Sequence, residues 1–152
     1  MAEEQILKKI KHYCAYQERC HSEVKEKLYS LGLYKNQVEE IIANLIADNY
    51  LNEERFAIQY AGGKFRIKHW GKRKISYELK QKGVSSYCIK IGLKSIDEEE
   101  YENTLAKLAL AKWDSLRGQQ YLVKLNKTKT YLVQKGFEPD MVHMHLQTFK
   151  KV

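Results

Sequence analysis

Between residues 64 and 82 the chain carries eight cations, Lys64, Arg66, Lys68, Lys72, Arg73, Lys74, Lys80 and Lys82, with Phe65, Trp70 and Tyr77 set among them. Only one acid, Glu78, falls in this stretch. So few carboxylates leave little intramolecular pairing, and the like charges oppose compaction unless something anionic neutralises them. The chemistry such a run can perform is binding. Lysines neutralise phosphate, arginine forks match phosphate or carboxylate, and aromatic rings stack on unpaired bases. The candidate contact residues are Lys64, Arg66, Lys68, Trp70, Lys72, Arg73 and Lys74. Lys64, Lys68 and Lys72 are spaced to share one face if a helix continues to Gly71. Lys80 and Lys82 are expected outside the main patch. Phe65 and Tyr77 are expected to pack against neighbouring helices, and Trp70 stands open between packing and stacking.

The middle fifth of the chain, which contains this run, accounts for the whole charge imbalance. The chain of 152 residues has 27 Lys+Arg against 19 Asp+Glu, a formal net charge of +8. Residues 1–63 sum to −2, residues 64–96 to +9 and residues 97–152 to +1. Other chemistry is sparse. There is no phosphate-cradling glycine loop, no HExxH and no CxxC pair. Cys14, Cys20 and His21 have no fourth ligand near in sequence, and His143 and His145, two apart on a helix, point to different faces. No catalytic residue, metal or cofactor is expected. Glu98, Glu99 and Glu100 read as complements to a helix N-terminus.

The elements that must hold the basic run follow from a repeat. Val24…Leu28…Gly32-Leu33, Ile75…Leu79…Gly83-Val84 and Thr128…Leu132…Gly136-Phe137 share one register, and Val38, Ile89 or Val142 comes six residues after each glycine. Gly takes the left-handed conformation that ends a helix, and the apolar residue behind it folds back on the last turn. A period near 50 residues suits a three-helix unit used three times, each stack burying its neighbour's face. Approximate repeats are 1–49, 50–96 and 97–152 in a single repeat domain. Ser22, Asn52, Ser85 and Asp97 stand where N-caps are needed, and Pro139, the only proline, suits a first helical turn. The pattern predicts helices at about 4–17, 22–31, 35–48, 52–69, 72–82, 85–94, 97–117, 119–135 and 139–150. Gly62-Gly63 predicts a kink or local mobility in the fourth. Residues 121–133 could alternate as a hairpin, but the repeat register assigns them to a helix with Tyr121, Leu125, Thr128 and Leu132 on one face.

Composition agrees with an all-α fold. Gly and Pro number 8 and 1, too few for many short strands joined by turns. Hydrophobic residues at 43% and charged residues at 30% give an ordinary globular balance. Three cysteines without framework spacing speak against a disulfide scaffold. The opening MAEEQILKK lacks a basic stretch followed by an apolar core, and no apolar run approaches a membrane span, so a cytoplasmic protein with no membrane partner is expected.

Tyr50-Leu51-Asn52-Glu53-Glu54-Arg55-Phe56-Ala57 resembles the "gyldDeRFA" stretch of the RecX family, regulators of RecA recombinase. Residues 70–84, WGKRKISYELKQKGV, are similar to that family's "GxxxIxxELxxKGI". His21-Ser22-Glu23-Val24 resembles its "S-x-x-E-L" entry, with Val for Leu, and Gln134-Lys135-Gly136-Phe137 its "rrGF". The resemblance covers nearly the whole chain. It implies tandem three-helix repeats in an elongated, curved arrangement. It also implies a non-enzymatic modulator that binds RecA or lodges in the RecA–DNA filament, limiting filament growth, ATP hydrolysis and strand exchange in DNA repair, homologous recombination and the SOS response. The chain departs from the family at Gly62-Gly63 and at Asn52-Glu53, where an Asp is common. Expected partners are RecA, its filament, and single- or double-stranded DNA through backbone contacts, bound by a monomer. Two other classes compete. Helix–Gly–helix units suggest a helix-turn-helix transcriptional regulator, yet the helices after each turn are poor in cations. A protein-only interaction scaffold would also satisfy the basic patch through an acidic partner.

Overall fold

A computed structural model describes residues 2–149. Among them are nine α-helices and no strands: α1 (Glu3–Tyr16), α2 (His21–Ser30), α3 (Lys35–Ala47), α4 (Glu53–Lys68), α5 (Lys72–Gln81), α6 (Ser86–Lys94), α7 (Glu98–Ser115), α8 (Tyr121–Gln134) and α9 (Pro139–Leu146). The end of the ninth expected helix, residue 150, lies outside the described residues, as do the last residues of the third expected repeat. Tyr121–Gln134 is helical, with Thr128 and Leu132 buried on its inner face.

The repeat glycines do what their register requires. Gly32, Gly83 and Gly136 have φ of 89°, 81° and 102°. Behind each, the N–H of Leu33, Val84 or Phe137 donates to the carbonyl of Leu28, Leu79 or Leu132, closing the same six-residue loop three times. Those three leucines are fully buried. Asp97 caps α7 by accepting from the Glu100 N–H at 2.9 Å, Asn52 accepts from the Arg55 N–H at 2.9 Å, and the Ser85 hydroxyl accepts from the Cys88 N–H at 3.2 Å. Pro139 begins α9 as expected.

Ser22 differs. The first residue of α2 is His21, and its cap is Cys20, whose N–H donates to the Glu23 carboxylate. Ser22 instead donates its hydroxyl to the Lys82 carbonyl at 2.8 Å. With Cys20 as the cap, Ser22 is the second helical residue and its hydroxyl serves a tertiary bond.

At Gly62-Gly63, where a kink or local mobility is expected, α4 continues through both residues. Gly62 leaves room for the side chain of Arg66, whose Nη2 lies 2.6 Å from where a Cβ would stand. Around Gly63 a Cβ would meet nothing within 4 Å. Gly63→Ala is therefore expected to raise stability by about 0.5–1 kcal/mol, because the folded chain tolerates it and the unfolded chain loses freedom. The urea midpoint checks this; a lower midpoint means that the helix needs the glycine.

Contacts divide the chain into two compact units, Met1–Tyr60 with Glu78–Gly92, and Ala61–Tyr77 with Leu93–Val152. The first has its core in Ile6, Ile10, Val24, Leu28, Val38, Ile41 and Leu45 of α1–α3, completed by Leu51. Gly92 of α6 lies against the Ala57 backbone of α4, where a Cβ would come within 2.7 Å of the carbonyl oxygen. In the second unit α7 packs on α8 and α9, and Phe65, Tyr101, Leu105, Leu132, Phe137 and Val142 are buried.

Candidate functional site

The seven candidate residues lie in the second unit, at the end of α4 and the start of α5. The helix does not continue to Gly71. It ends at Lys68, and His69 turns the chain with φ of 56°. The expected Lys64–Lys68–Lys72 face is thus broken, because a left-handed residue redirects everything after it. What restarts the chain as α5 is a set of bonds to the turn after α8. Gly71 N–H donates to the Lys135 carbonyl at 2.8 Å and Arg73 N–H to the Gly136 carbonyl at 2.9 Å. Between them Lys72 N–H donates to the Tyr101 hydroxyl at 2.8 Å. Tyr101 in turn donates to the Glu138 carboxylate. The first two N–H groups of α5, those of Lys72 and Arg73, are therefore taken up by protein.

The side chains sort by what holds them. Lys64 Nζ and Lys74 Nζ stand 5.0 and 4.6 Å from the centroid of the half-buried Trp70 ring. Trp70 thus brings together two cations from different helices, a ring and two ammonium groups in one place. Lys68 and Arg66 are exposed. Lys72 is turned inward: its Nζ is 3.4 Å from Glu98 and 4.7 Å from the Tyr101 centroid. Arg73 borders a cleft of about 390 Å³ shared with Lys72, Ser76, Leu93 and Glu138, where both signs of charge meet. Phe65 is buried and lies 5.6 Å from Tyr101, as expected. Tyr77 is not packed away; it is 60% exposed, because its position on α5 is out of register with the buried Ile75 and Leu79. Lys80 and Lys82 belong to the first unit.

Three residues of this site are not among the candidate contacts. Lys135 donates its Nζ to the Lys68 carbonyl at 2.9 Å, placing a cation on the negative end of α4. Burial and the neighbouring Lys74 charge hold its pKa below the usual lysine value. Tyr101 and Glu138 form the bond that closes α5. Burial, and then the hydrogen bond to Glu138, push the Tyr101 hydroxyl well above the ordinary tyrosine pKa, so it remains a donor.

Residues 52–93 match the family model described as RecX, second three-helix domain, and residues 98–146 match RecX, third three-helix domain. The chain belongs to the RecX family. The protein named Regulatory protein RecX from Bacillus cytotoxicus is 27% identical over 139 residues, which cover 91% of this chain and 52% of the relative. The protein of the same name from Clostridium perfringens is 32% identical over 124 residues, covering 80% of this chain and 58% of the relative. The chain thus spans about half the length of the curated relatives it matches. The crystal structure of RecX from Lactobacillus salivarius superposes with a TM-score of 0.85 at 26% identity, covering 93% of this chain and 92% of that one. A second RecX crystal structure, at 24% identity and a TM-score of 0.82, shares the fold. The tandem three-helix reading and the all-α fold class are confirmed by these matches. None of the described helices is long and apolar enough to cross a membrane.

Proposed function

We propose that this RecX-family protein regulates RecA recombinase, mainly as a negative modulator, by binding RecA or its DNA filament and limiting filament growth, ATP hydrolysis and strand exchange. The setting is cytoplasmic, in homologous recombination, DNA repair and the SOS response, and the protein acts by binding as a monomer rather than by catalysis. The observation that carries the reading is Trp70 between Lys64 and Lys74 in the +9 segment, within the stretch matched to the family's second domain. Lys64, Arg66, Lys68 and Lys74 supply charge to DNA phosphates or acidic RecA surface. Arg73 adds to it at the edge, and Lys72 positions α5 through Glu98 and Tyr101. Contact to the backbone fits this surface better than base reading, because the cations precede the turn of the middle repeat instead of following it.

The test is RecA-dependent strand exchange and ATP hydrolysis with the protein added at concentrations near that of RecA. Both are expected to slow. With Lys64→Glu/Lys74→Glu, inhibition is expected to weaken, and the salt slope of single-strand binding to flatten by about 0.7 log unit per lost phosphate contact. Unchanged RecA reactions would sink the reading. An unchanged salt slope would move the contact elsewhere. A sharp consensus selected from random duplexes would favour a transcriptional regulator.

A further inference from the structure

Residues 1–63 sum to a negative charge, yet the fold gathers cations from this region on one face. In the first unit, a cleft of about 490 Å³ runs between α1 and α2, of the size that holds a small ligand. It is lined by Lys8, Lys9, Arg19 and Lys27 and by the rings of Tyr13 and Tyr16, with His12 at its side and no carboxylate. The site lies outside the residues matched to the family's second and third domains.

Its parts are arranged before any ligand arrives. Arg19 donates its Nε to the Tyr13 carbonyl at 3.1 Å, and its guanidinium carbon lies 3.8 Å from the Tyr13 ring centroid. Lys27 Nζ approaches the same ring to 5.6 Å. The two carboxylates nearest Arg19 in sequence each accept a hydrogen bond from a group outside the cleft lining. Glu18 accepts from Arg55 Nε at 2.5 Å, and Glu23 accepts from the Cys20 N–H at 3.1 Å. Tyr16 is 77% exposed, a bare ring at the mouth of a cationic cleft.

We propose that this cleft binds one unstacked nucleotide, with the base against Tyr16 and the fixed Arg19–Tyr13 pair, and the phosphate on Lys8, Lys9 and Lys27. Cations alone would suit an acidic peptide equally. The rings decide for a nucleotide, because an exposed tyrosine and a flat guanidinium offer stacking surfaces that a carboxylate cannot use. The nucleotide can belong to a single strand or be free, and both present the same base and phosphate. The proposal stands apart from RecA regulation and from the Trp70 surface.

The test uses the full chain carrying Lys64→Glu/Lys74→Glu, so that the Trp70 surface is disabled. A short oligonucleotide containing 5-iododeoxyuridine is cross-linked by light, and the adduct is mapped by mass spectrometry. Adducts are expected at Tyr16 or Tyr13. In fluorescence anisotropy with oligo(dT), Tyr16→Ala is expected to weaken binding roughly tenfold, while Tyr16→Phe, which keeps the ring, is expected to retain it. Lys8→Gln/Lys9→Gln is expected to flatten the salt slope by about 1.4 log units for two lost contacts. Competition by dTMP against the parent that Tyr16→Ala abolishes would assign the site to free nucleotide; competition only by oligonucleotide would assign it to a strand. Adducts absent from both tyrosines would overturn the proposal, as would a Tyr16→Ala protein that binds like its parent. Displacement of the oligonucleotide by oligo-glutamate with no dependence on Tyr16 would overturn it in favour of an acidic protein partner.

Discussion

Gly71→Ala is expected to destabilise the second unit by about 4 kcal/mol or more, at the severe end of single substitutions. A Cβ at this position would lie 2.2 Å from both the Gly136 carbonyl carbon and the Phe137 nitrogen. Those are backbone atoms inside a turn already fixed by the left-handed Gly136, so no rotamer change relieves the clash. Moving the chains apart would lengthen the Gly71–Lys135 and Arg73–Gly136 bonds that start α5. That start of α5 carries Lys74 beside Trp70, so binding through the basic surface is expected to fall with stability. Urea unfolding of the variant beside Gly63→Ala checks this, since both change glycine to alanine within one short stretch of the chain. Equal midpoints for the two variants would mean that the turn yields more easily than its bonds suggest.

Tyr101→Ala is expected to cost about 3–5 kcal/mol, and Tyr101→Phe about 2 kcal/mol. The ring is fully buried, with Phe65 at 5.6 Å and Phe137 at 5.2 Å. Alanine would empty the space between them. Phenylalanine keeps the packing but deprives the Lys72 N–H of its acceptor and the Glu138 carboxylate of its donor. The two variants thus separate packing from hydrogen bonding. The hydroxyl also gives a pH signature. Its folded pKa is raised above the unfolded value near 10, so the folded state keeps a proton that the unfolded state loses. The contribution is complete below about pH 10 and declines as pH rises beyond it, by about 1.4 kcal/mol per unit. Tyr101→Phe should remove one proton's worth of this alkaline slope. Chemical unfolding between neutral and alkaline pH measures it, and an identical slope in both proteins would show that the hydroxyl titrates normally.

These two residues mark where sequence reasoning stopped. Gly71 stands in a recognisable motif, but a glycine between two helices reads only as a junction. Its need for a bare Cα comes from a turn 65 residues away in sequence. Tyr101 is one aromatic residue on a predicted helix, and nothing local announces that its hydroxyl closes another helix. The same holds for Lys135, whose bond to the Lys68 carbonyl spans 67 residues. Even Lys72, counted among the candidate contacts from its charge alone, is drawn inward by Glu98 from a different repeat.

Local physics carried the rest. Gly32, Gly83 and Gly136 announced three helix ends because a left-handed residue after an apolar turn has few alternatives to glycine, and Leu28, Leu79 and Leu132 marked the buried stripe behind them. Helix number, order and repeat register, and the concentration of charge in residues 64–96, were therefore determined by the sequence itself. Which cations remain on the surface was not. Charge arithmetic adds residues that are neighbours in the chain, whereas a binding surface is made by residues that are neighbours in space. Folding turned Lys72 inward, brought Lys64 and Lys74 to one tryptophan, and collected Lys8, Lys9, Arg19 and Lys27 from a segment whose sum is negative. Those outcomes depend on how one helix packs on another, which no local pattern specifies, and only the tertiary structure could decide them.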